Sequence, residues 1–125
     1  MNFEKYIGIP YSFDNSSGVN CWTLVALIYA DLFDSELGLY PLATGTAREI
    51  SSVFTQAFAK GDHGFKEVKF PKNYDIVIFN RKEHYHCGIY FDGFILHCSQ
   101  YTGGVSYQPF LTVKKGFNEV SYWQK

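Results

Sequence analysis

The amino-acid sequence predicts an α+β fold, in which N-terminal helices pack on an antiparallel β-sheet formed by the C-terminal half. Three observations predict it: an apolar stripe at helical spacing after residue 20, a capping-box pattern near residue 46, and β-type runs after residue 64. The chain has 125 residues, of which 46% are hydrophobic and 19% aromatic, enough for one core. We therefore expect a single domain that spans residues 1–125.

Two helices are predicted in the first half of the chain. Residues 1–20 are rich in Gly, Pro, Asn and Ser, which indicates a short helix or an extended arm followed by a loop. A helix is predicted over 21–33, with Asn20 as its N-cap and apolar residues at helical spacing: Leu24, Val25, Leu27, Ile28 and Leu32. A second helix is predicted from Thr46, where Thr46 and Glu49 have capping-box spacing, to a stop at Gly61.

The second half of the chain has the pattern of an antiparallel sheet. Residues 74–79 indicate a buried strand, and the runs 86–91 and 94–98 flank Asp92-Gly93, a strong signal for a two-residue hairpin loop. Residues 105–107 and 119–123 predict further strands. Helices followed by hairpin-connected strands are typical of α+β domains.

The predicted hairpin places two histidines on one face of the sheet. Counting outward from the two-residue loop pairs Gly88 with His97 and His86 with Ser99. Because facing residues share a face, His86 and His97 become diagonal neighbours whose side chains can touch. Gly88 leaves room beside His97. One imidazole can then orient the other, as base and orienter do in a catalytic triad.

The same count turns Cys87 and Cys98 to the other face of the sheet. There they are predicted to be core thiols, with a cross-strand disulfide or a metal role as the open alternatives. His84 shares the face of His86 and His97, so a three-histidine metal site is geometrically allowed. No carboxylate is spaced to support it, and we predict neither a metal nor a cofactor.

Cys21 begins the first predicted helix, directly after a polar loop. The unpaired N–H groups and the dipole at a helix N-terminus favour a thiolate, and a nearby imidazolium favours it further. The same N–H groups could hold an oxyanion. The alternative is a small apolar residue buried at a helix start, and the local sequence leaves both interpretations open.

The order of these elements resembles the NlpC family of papain-like cell-wall cysteine peptidases. The matching segments are IGIPY near residue 7, GVNCWTLVALIYADLF around Cys21, YDIVIF at 74–79, HCGIYFDGFILHCS at 86–99 and GGVSYQPF at 103–110. Trp22, directly after the cysteine, is similar to the phage tail-associated branch of that family. The resemblance implies a papain-like (NlpC-type) fold.

The resemblance also implies roles for individual residues. Cys21 would be the nucleophile, His86 the general base and His97 the orienter of that base. Tyr11 would contribute to the oxyanion hole or the wall of the active site. Independently of the resemblance, the high aromatic content predicts that a few aromatic side chains, Trp22 among them, line a substrate cleft. The chain departs from the family pattern around the nucleophile, where the family usually has Asp before the cysteine and Ser-Gly after it.

The function implied by the resemblance is cleavage of stem-peptide amide bonds in peptidoglycan by a phage tail-tip component during cell-wall penetration. The alternatives are a structural tail-tip protein with a peptidase-like fold and weak or no activity, or an amidase or acyltransferase of the same fold. The core cannot hide every aromatic side chain, so an exposed apolar patch that favours a partner surface is expected. The resemblance implies that the partners are other phage tail proteins.

Charge and hydropathy restrict the other partners. The net charge is -1 and no basic run exists, which argues against nucleic-acid binding. The longest apolar segment, 24–30, is too short to span a bilayer, and no signal peptide is visible. We therefore expect no membrane insertion and synthesis in the cytoplasm. The resemblance to the phage tail-associated branch implies that this is the host cytoplasm and that the final location is the virion tail.

Overall fold

The described part of the chain is built mainly from one antiparallel sheet. The computed structural model describes residues 3–12, 15–35, 37, 64–82 and 84–125. The strands are β1 (Lys66–Val68), β2 (Ile76–Arg81), β3 (His84–Phe91), β4 (Phe94–Ser99), β5 (Gly104–Pro109) and β6 (Glu119–Gln124). The helices are α1 (Cys21–Phe33) and the short α2 (Phe110–Lys114). The sheet order is β1-β6-β2-β3-β4-β5, and every neighbouring pair is antiparallel.

The predicted fold class, a papain-like α+β fold with N-terminal helices packed on an antiparallel sheet, is wrong. The described residues form a six-stranded sheet with one main helix, a more β-rich architecture. One reason is that residues 3–12 and 15–20 form turns and isolated bridges. The short helix, one of the two alternatives predicted for this segment, is not formed there. The predicted helix from Thr46 to Gly61 lies outside the described residues.

Helix α1 has the bounds that its apolar stripe predicts. The side chain of Asn20 caps it by accepting a hydrogen bond from the Thr23 N–H at 2.8 Å. Its buried residues recur every three or four positions and pack on β3 and β4: Cys21, Trp22, Leu24, Val25, Ile28 and Tyr29. Within the described ranges, no helix is long and apolar enough to cross a membrane.

Both faces of the sheet bury apolar side chains. The face toward α1 carries alternate residues of the central strands: Ile76, Ile78, Cys87, Ile89, Leu96, Cys98 and Val105. The opposite face carries Val77, Phe79 and Ile95, which are covered by Val113 of α2. Because side chains alternate along a strand, Cys87 points toward α1 and its neighbour His86 points to the opposite face.

The β3–β4 hairpin has the predicted loop and register but ends early. Asp92 and Gly93 both have positive φ, 50° and 84°, as a tight two-residue turn requires. The ladder runs from the loop to the pair Gly88↔His97 and stops there. Beyond it, His84–Cys87 pair with β2, and Cys98 and Ser99 pair with β5. The predicted pairs Cys87–Cys98 and His86–Ser99 are therefore not made, and the sheet opens between β3 and β4.

The N-terminal arm reaches the same end of the sheet. It runs beside β5, where the Val105 N–H donates to the Ile9 carbonyl at 2.9 Å and the Gly8 N–H donates to the Val105 carbonyl at 3.0 Å. Tyr11 then forms an isolated bridge with Val19, just before α1. The arm thereby carries Tyr11 to the opening between β3 and β4.

Gly88 is required by the close approach of β4. A Cβ at this position would lie 2.6 Å from Ile95 Cγ2, 2.9 Å from the Leu96 carbonyl oxygen and 3.1 Å from His97 Cβ. Because one of these atoms belongs to the backbone, Gly88→Ala must displace β4. We expect the substitution to lower the free energy of unfolding by about 1–3 kcal/mol, measured by urea denaturation.

Gly116→Ala provides the matched control for that measurement. A Cβ there has Val113 O, 3.8 Å away, as its nearest contact, so we expect a change within about 0.5 kcal/mol. Equal stability of the two variants would contradict the close approach of the strands at Gly88.

Candidate active site

The opening between β3 and β4 leads into a cleft of about 740 Å³. The cleft brings together four of the residues predicted from sequence, namely Cys21, His86, His97 and Tyr11. Its other lining residues lie just before α1, at the facing ends of β2, β3 and β4, in the β2–β3 and β4–β5 connections, on β5 and in the segment around α2: Asn20, Arg81, Lys82, His84, Tyr85, Cys98, Ser99, Gln100, Tyr101, Thr102, Gln108, Val113, Gly116 and Phe117.

The two histidines are hydrogen-bonded to each other. His86 Nε2 lies 2.8 Å from His97 Nδ1, and the two rings are nearly perpendicular at 78°, with centroids 5.0 Å apart. His97 is buried, with only 4% of its surface exposed. The predicted contact between the two side chains on one face of the hairpin is therefore confirmed.

His97 has a second partner that sequence reasoning missed. Its Nε2 lies 2.7 Å from Oε1 of Gln108, which is on β5 opposite Ile95. Gln108 is two residues from Ser106, the β5 partner of His97, so it shares the face of the histidines. The one sequence signal was its place directly after the strand predicted at 105–107, and its contact depends on the register of β5.

Burial keeps His97 uncharged. Desolvation is the largest cause and the charge of His86 the second, and together they lower the pKa of His97 from 6.5 to about 4, while the bond to Gln108 opposes them. At neutral pH, His97 is therefore a neutral imidazole that can hold His86 in place.

Two phenylalanine rings hold the imidazole of His86. The Phe117 ring is stacked on it at 5.8 Å with an interplanar angle of 4°, and the Phe79 ring lies 6.2 Å away. Phe117 follows α2, a short helix that the sequence patterns did not predict. These contacts exclude water from one side of the ring and restrict its rotation.

The thiol of Cys21 lies at the first residue of α1, next to the gap in the sheet. Its sulfur interacts with the Cys87 thiol, the Cys87 backbone and the side chain of His86. The ladder between β3 and β4 ends at Gly88, so the Cys87 backbone is not paired with β4. It can instead form a hydrogen bond with the Cys21 sulfur. The nucleophile predicted from sequence and its predicted base therefore line one cleft and interact electrostatically.

The surroundings favour the thiolate form of Cys21. A hydrogen bond from the Cys87 thiol is the largest favourable cause and the interaction with His86 follows; together they outweigh burial and lower the pKa of Cys21 well below its ordinary value. Burial, followed by the interaction with Cys21, raises the pKa of Cys87. The negative charge belongs on Cys21, because Cys21 alone of the pair has both His86 and a helix N-terminus beside it.

Cys87 and Cys98 are buried free thiols, as the core interpretation predicted. Cys98 donates to the Val19 carbonyl at 3.3 Å, and burial raises the pKa of Cys98 to about 12. Cys87 does more than fill the core, since it contacts the sulfur of Cys21. No sequence pattern indicates that interaction, because it depends on where the ladder ends.

Tyr11 and Trp22 differ in their placement. Tyr11 lines the cleft, and burial, followed by the charges of Cys21 and Cys98, raises the pKa of the Tyr11 phenol. The hydroxyl therefore remains a hydrogen-bond donor at neutral pH. Trp22, with 2% exposure, packs in the core and is not among the residues that line the cleft.

Among the described residues, no group of three or more His, Cys, Asp or Glu side chains is arranged to hold a metal ion. His84, the third histidine of the alternative metal site, is exposed at the rim of the cleft. The contacts of His86 and His97 are instead with each other, with Cys21 and with Gln108.

The lowered pKa of His97 predicts a loss of stability in acid. The unfolded chain binds a proton near pH 6.5 and the folded chain only near pH 4, so stability is lost as the pH falls between these values. The lowered pKa of His97 contributes about 3 kcal/mol to the free energy of unfolding at neutral pH, and this contribution is lost in acid. We expect His97→Gln to flatten the dependence of the unfolding free energy on pH between 6.5 and 4, measured by urea titration at each pH. The control, exposed His84→Gln, should leave the slope unchanged, and a slope equally steep in His97→Gln would refute the assignment.

The lowered pKa of Cys21 predicts selective alkylation. At pH 7 we expect iodoacetamide to modify Cys21 before the two protonated core thiols, as followed by mass spectrometry of peptides. Removing the interaction with His86 should raise the pKa of Cys21, so His86→Ala should slow its modification about tenfold. His84→Ala, at the cleft rim, is the control and should keep the wild-type rate. Equal rates at all three cysteines would contradict the activated thiol.

No model of a known protein family matches the chain, and no curated protein matches its sequence.

Proposed function

We propose that the protein is a cysteine peptidase that hydrolyses amide bonds in peptidoglycan stem peptides. In this proposal Cys21 is the nucleophile, His86 the general base and His97 the residue that orients His86. The observation that carries it is the contact, inside one cleft, between a thiol with a lowered pKa and an imidazole that is bonded to a second, neutral imidazole. This arrangement has the geometry and the electrostatics of an activated thiol nucleophile.

The reaction follows from these positions. The thiolate of Cys21 attacks the carbonyl carbon of the scissile amide, and the carbonyl electrons move to oxygen. Collapse of this intermediate expels the amine, which takes a proton from His86, and leaves a thioester on Cys21. His86 then removes a proton from water, whose oxygen attacks the thioester and releases the acid and the thiolate.

The developing oxyanion needs donors beside Cys21. The phenol of Tyr11 is kept protonated in the cleft, and the N-terminus of α1 supplies backbone N–H groups at the nucleophile itself. Donors that are fixed before the reaction stabilise the transition state without reorganisation. We therefore assign the oxyanion to the region between Tyr11 and the start of α1.

Two features support a stem peptide as the substrate. Arg81 and Lys82 lie at the rim of the cleft, and no acidic side chain is present among its described lining residues. Stem peptides carry free carboxylates, which a cationic rim attracts. The second feature is the resemblance of the segments around Cys21 and at 86–99 to NlpC-type peptidases, whose usual bond joins γ-D-glutamyl to the diamino acid.

The same resemblance supports the biological setting that we propose. A chain similar to the phage tail-associated branch would be made in the host cytoplasm and carried in the virion tail, with other tail proteins as partners. Local cleavage of the wall would then assist genome entry.

The test is cleavage of defined muropeptides by the purified protein. We expect wild type to release a new amine and a matching carboxylate fragment, detected by mass spectrometry. Cys21→Ser should reduce the rate at least about 10³-fold, because a hydroxyl in place of the thiolate is a far weaker nucleophile.

Cys98→Ser is the matched control for this experiment. It also replaces a buried thiol, and a serine hydroxyl can still donate to the Val19 carbonyl. It should retain most of the activity. A folded wild-type protein that releases no fragment, or product formation by Cys21→Ser at the wild-type rate, would refute the proposed function.

A further inference from the structure

Three polar side chains from three adjacent strands form one chain of hydrogen bonds. His86 on β3 bonds to His97 on β4 at 2.8 Å, and His97 bonds to Gln108 on β5 at 2.7 Å. All three project from the face opposite α1, each as a diagonal neighbour of the next. Gln108, at the β5 end of this chain, determines where the protons lie along it.

Gln108 presents its carboxamide oxygen to His97, and such an oxygen can only accept a hydrogen bond. The proton in this contact therefore belongs to Nε2 of His97. Because His97 is neutral, its Nδ1 carries no proton and must accept from Nε2 of His86. The remaining ring nitrogen of His86, Nδ1, is then the one available to Cys21.

We propose that Gln108 is a positioning residue that sets the tautomers of both histidines and thereby permits His86 to become an imidazolium beside the Cys21 thiolate. This inference rests on the proposed function of Cys21 and His86 as nucleophile and base. Gln108 acts through His97 and touches neither the thiol nor the substrate's reacting bond in the mechanism above.

The reason lies in the two protons of an imidazolium. A charged His86 donates from both ring nitrogens, so the atom opposite its Nε2 must be an acceptor. If the carboxamide of Gln108 were reversed, its NH₂ group would donate to His97 Nε2, and the His97 proton would move to Nδ1. Two N–H groups would then face each other, and the ion pair with Cys21 would be disfavoured.

Substitutions at Gln108 separate the acceptor from the shape of the side chain. Gln108→Leu keeps a similar size but removes the acceptor. Gln108→Glu is isosteric, and its carboxylate only accepts, so it should preserve the tautomers. Ser106→Ala on the same strand is the control, because the Ser106 hydroxyl is buried and has no hydrogen-bond partner among the described residues.

The experiment combines ¹⁵N NMR of the histidine rings with the alkylation rate of Cys21 at pH 7. For wild type, Gln108→Glu and Ser106→Ala, we expect His97 to carry its proton on Nε2 and Cys21 to react rapidly. For Gln108→Leu, we expect a mixture of His97 tautomers and an alkylation rate about tenfold lower, which corresponds to one unit in the pKa of the thiol.

Two results would overturn the proposal. One is a proton on Nδ1 of His97 in the wild-type protein, a measurement that needs no variant to fold. The other is a folded Gln108→Leu protein with wild-type tautomers and a wild-type alkylation rate. Neither readout requires turnover, so a protein that showed the expected tautomers but cleaved no muropeptide would refute the proposed function and leave the role of Gln108 intact.

Discussion

The contact between the Cys21 sulfur and Cys87, made where β3 and β4 separate, is the interaction on which the rest of the site depends. Cys21 approaches from the α1 face, whereas His86 and His97 project from the opposite face. A continuous ladder would place the sheet between the thiol and the imidazole. Because the β3–β4 pairing ends at Gly88↔His97, the sulfur can reach both the backbone of Cys87 and the side chain of His86. The gap in the sheet therefore creates the site.

Burial acts in opposite directions on the two ends of this site. At His97 nothing compensates fully for desolvation, so the pKa falls and the ring stays neutral. At Cys21 the hydrogen bond from Cys87 and the interaction with His86 exceed the cost of burial, so the pKa falls there too and the thiol becomes charged. A lower pKa means a neutral imidazole at His97 and a thiolate at Cys21. The result is one negative charge, held at the sulfur that is the nucleophile of the proposed mechanism.

Local rules predicted the parts of the structure that depend on local sequence. The helix at 21–33, the loop at Asp92-Gly93 and the shared face of His86 and His97 follow from periodicity and turn chemistry, and the structure confirms them. The fold class was wrong because it also depended on N-terminal helices, where residues 3–12 and 15–20 form turns and bridges. Gln108 was missed because its contact needs the register of β5. The cleft placement of Trp22 rested on aromatic content alone, and its side chain packs in the core. Strand ends and sheet order are set by non-local packing, which a single sequence does not display.

The hydrogen-bonded chain His86–His97–Gln108 ends in a neutral amide. This gives the ion pair of Cys21 and His86 a property that it would lack if the chain ended in a carboxylate. Neither His97 nor Gln108 carries a charge at neutral pH. The Cys21 thiolate is therefore the counter-charge of an imidazolium at His86. In the proposed mechanism the thiolate attacks a carbonyl, and that charge moves to the oxyanion, away from the ring. His86 then becomes a stronger acid at the moment when the leaving amine needs a proton. With an aspartate behind the ring, a permanent negative charge would keep stabilising the imidazolium and weaken it as an acid. In the proposed mechanism, an amide at Gln108 therefore couples formation of the carbon–sulfur bond to proton delivery.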